Sequence, residues 1–218
     1  MPRQGSQNSS TGRRTGTRPG GKKNKRTKLL PDRVERFEIR ISGAGGQGII
    51  STGMLLGEAI ALGDGRNVSQ SQAYGPEARG GATRADLIIS DGDIFFPECH
   101  EPDLLVAFTT EAYEKHAPSV KPDGLIIADE SAVDIVMGNA RTVKVPFIKL
   151  AEKEFGHPIV ANIIALGFLA TYTGIVSEKS IREAVEDRFA GTKYLDMNLK
   201  ALEAGFKLGK EYAKKYPL

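Results

Sequence analysis

"FEIRISGAGGQGIISTGMLL", residues 37–56, decides how the rest of the chain is read. Phe37–Ser42 alternate apolar and polar side chains, the period of a β-strand. Ile49, Ile50, Met54, Leu55, Ala59 and Leu62 then recur near helical spacing. Between strand and helix stand Gly43, Gly45 and Gly48, in the order G-x-G-x-x-G. In such a turn the first glycine permits the tight bend and the second lets a ligand approach the backbone. The third lets helix and strand pack closely. The helix N-terminus that follows favours an anion. A dinucleotide site also needs an acid about 20 residues on, at the end of the second strand. Asp64 has about that separation, but it precedes the next strand-like run, "NVSQSQAY" (67–74), which ends in polar residues and Tyr74. The turn is therefore not expected to hold NAD.

Outward from the turn, the strand-like runs are "TRADLIIS" (83–90), "PDLLVAF" (102–108), "DGLIIAD" (123–129) and "ARTVKVP" (140–146). The short apolar ones have the composition of parallel strands covered on both faces. "EAYEKHAPSV" (111–120) has helix composition. After Pro146 the texture becomes helical. "HPIVANIIALGFLATYTG" (157–174) reads as one long apolar helix stopped by Gly174. "SEKSIREAVEDRF" (177–189) is amphipathic. "YLDMNLKALEAGFKLGKEYAKKY" (194–216) is a last helix whose final lysines complement its dipole. The expected fold is α/β and Rossmann-like: a mostly parallel sheet flanked by helices, with a helical C-terminal part.

Two domains of behaviour are expected. Residues 1–36 form a basic tail, and residues 37–218 a single α/β domain. Residues 1–31 hold nine of the 30 lysines and arginines and no acid, so the remainder carries 21 bases against 27 acids. The tail has too few apolar residues to offset its ordering entropy and is expected to be disordered. It also lacks aromatic residues for base stacking, which weakens a nucleic-acid reading. No apolar run reaches the roughly 18 residues of a membrane span, and no secretory h-region follows the basic start. One cysteine, Cys99, in 218 residues fits a reducing cytoplasm. It can supply neither an internal disulfide nor the thiolates of an iron–sulfur cluster.

Several other residues are expected to be structural. His100, His116 and His157 have no metal spacing among them. Asp91 and Asp93 fit a turn. "GDG" at 63–65 lacks the asparagine pair about 30 residues on that thiamine-diphosphate proteins use to hold magnesium and diphosphate.

The glycine turn becomes specific in combination. "GAGGQGIISTGMLLGEA", followed by "QSQAYGPEARGGATRADLIISDGDIFFPE" and "PDLLVAF", resembles the gamma subunit of 2-oxoacid:ferredoxin oxidoreductases, most of all the 2-oxoglutarate type. The likeness covers about residues 37–215. It implies a complex that decarboxylates a 2-oxoacid, transfers the acyl group to coenzyme A and passes two electrons to ferredoxin. It implies alpha, beta and ferredoxin-like delta partners. Thiamine diphosphate, magnesium and iron–sulfur clusters sit on those other subunits, coenzyme A is a co-substrate, and no cofactor is held by this chain alone. Two segments are expected to meet at the carboxyl edge of the sheet and touch coenzyme A or a partner. One is Gly43, Gly45, Gly46, Gln47 and Gly48. The other is Tyr74, Gly75, Glu77, Arg79, Gly80 and Gly81. Arg79 offers a planar donor fork for phosphate or carboxylate, with Glu77 as its possible ion-pair partner. No single catalytic residue is expected on the chain. A stand-alone nucleotide-binding oxidoreductase and a tail-bound nucleic-acid protein are the competing readings.

Overall fold

The computed structural model describes residues 28–74, 82–134 and 136–218. Its six strands are β1 (Phe37–Gly43), β2 (Asn67–Ala73), β3 (Thr83–Ser90), β4 (Leu104–Ala107), β5 (Leu125–Asp129) and β6 (Arg141–Val145). They form one sheet in the order β2-β3-β1-β4-β5-β6. The pairs β1/β4, β4/β5 and β5/β6 are parallel. The pairs β1/β3 and β2/β3 are antiparallel. The sheet is thus mostly parallel, with an antiparallel flank.

Among the described residues six α-helices cover it: α1 (Ile49–Glu58), α2 (Thr110–His116), α3 (Phe147–Phe155), α4 (Ala161–Tyr172), α5 (Glu178–Phe189) and α6 (Leu195–Lys215). Side chains from α1, α3, α4, α5 and α6 share one apolar core with Ile39, Ile41, Leu87, Val106 and Ile127 of the sheet. On the opposite face Ala112 and Tyr113 of α2 pack on Leu105, Ala107, Ile126 and Ala128. Local chemistry sets the helix ends. Thr109 Oγ1 accepts from the Ala112 N–H, and Ser177 Oγ accepts from the Ser180 N–H. The long apolar segment begins as a short 3₁₀ turn, Pro158–Val160, before α4, and Gly174 ends it at φ +67°. In α4 every residue but Thr171 is buried. A Cβ on Gly167 would run into the Leu202 carbonyl oxygen, and one on Gly205 into the Ile164 carbonyl oxygen. The small residues let α4 and α6 touch backbone to backbone.

Helix α3 is not foreseen from the sequence, although Phe147, Ile148, Ala151 and Phe155 lie at helical spacing. The tail boundary also moves. Leu30 and Val34 are buried in the main core, and the Leu29 N–H donates to the Thr173 carbonyl at 2.7 Å. Residues 28–36 therefore belong to the domain, because their apolar side chains find a place in it. Residues 1–27 lie outside the described region.

The polar side of β1 is not solvated. Glu38, Arg40 and Ser42 are all buried. Arg40 and Asp86 are register partners across β1 and β3. The Arg40 guanidinium donates to Asp86 Oδ1 at 2.7 Å, to Oδ2 at 2.9 Å and to the Cys99 carbonyl at 2.8 Å. Glu38 accepts the His100 and Glu101 N–H groups at 2.9 and 3.1 Å. Buried strand charges thus hold the irregular segment after β3 against the sheet.

Candidate functional site

The chain leaves β1 along α1 on one face and reaches the far edge strand β2. It leaves β4 along α2 on the other face and reaches β5. β1 and β4 are neighbours, so the connection direction reverses between them. In open α/β sheets the crevice beyond the carboxyl ends of such strands is where ligands bind. The glycine turn and Phe108 flank that crevice here.

Within the turn, the Ala44 N–H donates to Gln47 Oε1 at 2.8 Å, so Gln47 closes the loop on itself. Gly46 and Gly48 have φ of +87° and +73°, which L-residues with a Cβ rarely adopt. A Cβ on Gly43 would meet Gln47 Oε1 at 2.5 Å and Ile49 Cδ1 at 2.8 Å, whereas one on Gly45 would enter open space. The close neighbour of Gly48 is the Asn162 side chain rather than the strand expected for the third glycine. Helix α1 has no side-chain N-cap and no acid in its first turn. The Ile49, Ile50 and Ser51 N–H groups therefore point out of its end without a partner among the described residues.

Two cavities open beside this turn. One, of about 140 Å³, lies between Gln47, Phe108, Ile148 and Asn162. The other, of about 460 Å³, is bounded by Gly48, Ser51, Asn162, Ile163, Arg188 and Met197, with His157 also on its wall. Asn162, in the first turn of α4, stands between them. No carboxylate among the described residues lines either cavity. Asn162, Ser51 and Arg188 carry no warning in the sequence, since each lies inside an ordinary helical pattern.

Of the second predicted segment only Tyr74 is among the described residues. Tyr74 is half-exposed just after β2. Gly75, Glu77, Arg79, Gly80 and Gly81 lie outside the described residues. The register pairs Ala73 with Arg84 and Gly43 with Thr83, so the strand ends that flank that segment lie at the sheet edge that carries the glycine turn.

Asp64 and Asp91 have structural partners, whereas His116 Nε2 is buried without a hydrogen-bond partner among the described residues. Asp64 accepts from the Ser177 N–H at 2.9 Å and the Ser180 hydroxyl at 2.7 Å, tying α1's exit to the start of α5. Asp91 accepts from the Val34 N–H at 2.7 Å and from Arg66 at 2.6 Å. Cys99 is buried, and burial together with the Asp86 carboxylate pushes its thiol above the ordinary range, which makes it a poor nucleophile. Burial, with Arg40, Lys115 and Arg84 nearby, lowers His116 to about 3. Among the described residues no group of His, Cys, Asp or Glu is arranged to hold a metal ion. A lone buried cysteine also does not fit an iron–sulfur cluster.

Among the described residues the site is a βα glycine turn at a sheet switch point, the geometry of a ligand-binding α/β domain. The profile of the pyruvate ferredoxin/flavodoxin oxidoreductase family matches residues 38–208, and the chain belongs to that family. Within it, the likeness is to gamma-type subunits. The chain is 43% identical over 185 residues to the 2-oxoglutarate synthase subunit KorC of Methanocaldococcus jannaschii, covering 81% of this chain and 95% of that one. Its fold is similar to the gamma subunit of a keto/oxoacid ferredoxin oxidoreductase from Geobacter sulfurreducens. There the TM-score is 0.70 and the identity 40%, over 79% of this chain and 98% of that one. It is also similar to part of the 2-oxoglutarate:ferredoxin oxidoreductase from Magnetococcus marinus, solved with 2-oxoglutarate, coenzyme A and succinyl-CoA bound. That match has a TM-score of 0.71 and 28% identity, over 81% of this chain and 31% of that one.

Proposed function

We propose that this chain is the gamma subunit of a 2-oxoglutarate:ferredoxin oxidoreductase and works only in its complex. In that complex 2-oxoglutarate loses carbon dioxide, the succinyl group passes to the coenzyme A sulfur, and the two electrons released reduce two ferredoxins. The alpha, beta and ferredoxin-like delta subunits hold the thiamine diphosphate, magnesium and iron–sulfur clusters. This chain supplies the glycine-turn crevice and the 74–81 segment to the coenzyme A path or to the rim of the active site. The reaction takes place in the cytoplasm.

The observation that carries the reading is the 43% identity to a 2-oxoglutarate synthase subunit over nearly that subunit's whole length. The crevice, with uncapped N–H groups at the start of α1 and no acid among its described lining residues, supports the placement of an anionic co-substrate beside it. The test is co-expression with the three partner subunits, followed by viologen reduction that needs both 2-oxoglutarate and coenzyme A. The isolated chain is expected to be inactive. Turnover by the isolated chain, or a complex that accepts pyruvate or 2-oxoisovalerate in preference, refutes the proposal. Arg79→Ala is expected to raise the KM for coenzyme A or weaken assembly by roughly tenfold or more, since a charge-assisted contact is worth about 1.5–3 kcal/mol.

A further inference from the structure

The two edges of the sheet are built differently. β6 carries Arg141 and Lys144 among its five residues and is followed by Pro146. Charges and proline on an edge strand guard it against pairing with another chain. Arg141 is also tied to the Tyr216 and Pro217 carbonyls, and Lys144 to the Val133 carbonyl. β2, at the other edge, is "NVSQSQA", seven residues with no charge and no proline. It has no bulge either, since its register with β3 runs unbroken from Asn67 opposite Ser90 to Ala73 opposite Arg84. Its outer N–H and C=O groups have no backbone partner among the described residues. A straight, neutral edge of this kind is a template for a further strand. The helix above it is placed to join in. A Cβ on Gly53 would come within 3.3 Å of the Gln70 carboxamide, and one on Gly57 within 3.7 Å of Val68, so these glycines let α1 lie close over the edge. Met54, beside Gly53, is 41% exposed and belongs to neither apolar core.

We propose that a second copy of this chain adds its own β2 to this edge, antiparallel across a two-fold axis at Gln70, and joins the two sheets into one. That axis sets Val68 of one copy opposite Gln72 of the other, Ser69 opposite Ser71, and Asn67 opposite Ala73. Every opposed pair is then neutral, so no like charges meet across the seam. The two members of each pair also share a face, because side chains alternate along a strand and the paired positions differ by an even number. Val68 and Gln70 face α1, so Ser69 and Ser71 lie on the opposite face. The two α1 helices accordingly end on the same side of the joined sheet, with Met54 of each copy beside the seam. The pairing continues the antiparallel order of β1, β3 and β2. A second copy suits the edge because the same seven residues supply both halves of a neutral match of equal length, as a two-fold interface requires. The inference does not depend on the reaction proposed above.

The test is sedimentation velocity of the purified full chain over a concentration series, with hydrogen exchange at both ends of the series. A reversible monomer–dimer equilibrium is expected at micromolar chain, and amides of residues 67–73 are expected to exchange more slowly in the dimer. Ser69→Lys/Ser71→Lys opposes like charges twice across the axis and is expected to weaken association at least tenfold. Ser69→Glu/Ser71→Lys opposes unlike charges at the same positions and is expected to keep association within severalfold of the unaltered chain. Both serines are outside the buried core, so the melting midpoint of each variant is expected to stay near the original. The register partner of Ser71 in β3 is Asp86, and both variants carry the same change at position 71, so any effect on that strand is common to the two. A chain that stays monomeric into the high-micromolar range overturns the proposal. So does a dimer whose β2 amides exchange as fast as the monomer's, or an equal response of association to the two double variants.

Discussion

Asp86→Asn keeps the side-chain shape and removes one charge from the buried pair that joins β1 to β3. Arg40 is then left charged in a place almost closed to water, facing a neutral amide that can accept through one oxygen but no longer balances its charge, with the Cys99 carbonyl still accepting. Burial opposes the Arg40 charge, and in the intact pair the hydrogen bonds and charge of Asp86 more than reverse this, so its pKa is raised. Removing one partner of a buried ion pair costs about 3–5 kcal/mol. For a domain of this size each kcal/mol moves the melting midpoint by about 2–4 °C, so the expected loss is roughly 6–20 °C. The double variant Arg40→Met/Asp86→Leu replaces the pair with apolar volume and is expected to regain most of that loss. Urea titrations followed by circular dichroism give the free energies. Thiol labelling of Cys99 gives a second readout, because the residue is buried and its carbonyl is held by Arg40. A loosened segment exposes the thiol, and labelling of Asp86→Asn is expected to be faster. A loss under about 1 kcal/mol for Asp86→Asn, or a double variant as unstable as the single one, refutes the reasoning from buried charge.

Leu30→Ala is expected to cost about 2–5 kcal/mol in urea unfolding, because its side chain fills the main core although it precedes β1. Deletion of residues 1–34 is expected to lower the melting midpoint clearly, whereas deletion of residues 1–27 keeps that core contact and is expected to leave the midpoint near its original value. His116 is held neutral when folded, at about 3 against an ordinary value of 6.5, so the unfolded chain takes up its proton first as the pH falls. Stability from this group is complete above about pH 6.5 and is lost progressively toward pH 3. Urea midpoints at pH 7, 5 and 4 should fall more gently in His116→Gln. Gly205→Ala improves helix propensity, yet its methyl meets the Ile164 carbonyl oxygen. A net loss of about 1–3 kcal/mol is expected, and a stabilised variant would contradict the close α4–α6 contact.

Much of this architecture was legible because hydrophobic period and turn chemistry agree locally. Strands β3, β5 and β6 lie where apolar runs end near Gly, Pro or Asp, and Ser177 and Gly174 mark helix ends that the structure repeats. What escaped depends on long-range neighbours. The alternation of Phe37–Ser42 gives the same pattern whether Glu38 and Arg40 meet water or a covering loop, and here a loop covers them. Helix α3 is short and packed tightly between a strand and Gly156, so its amphipathic spacing has little length in which to show. Order in residues 28–36 depends on a groove formed by α4 and the sheet, which no local composition reveals. At the site, the glycine spacing located the turn. Asn162 could not be found, because an asparagine in a run such as "ANIIAL" announces neither its burial nor its place between the two cavities.

The glycine seam between α4 and α6 also bears on when the protein can fold. Helix α4 is apolar nearly all round, and the element that covers it, α6, leaves the ribosome after the sheet and the other helices. Until about residue 209 is free, where a third glycine meets the Phe168 carbonyl, α4 has one side open to whatever is nearby. A nascent or prematurely stopped chain therefore displays a sticky, nearly uncharged helix, the kind of transient surface that chaperones and aggregation compete for. Burial of the central helix therefore waits for α6 to emerge, and loss of α6 is expected to harm yield far more than loss of residues 1–27.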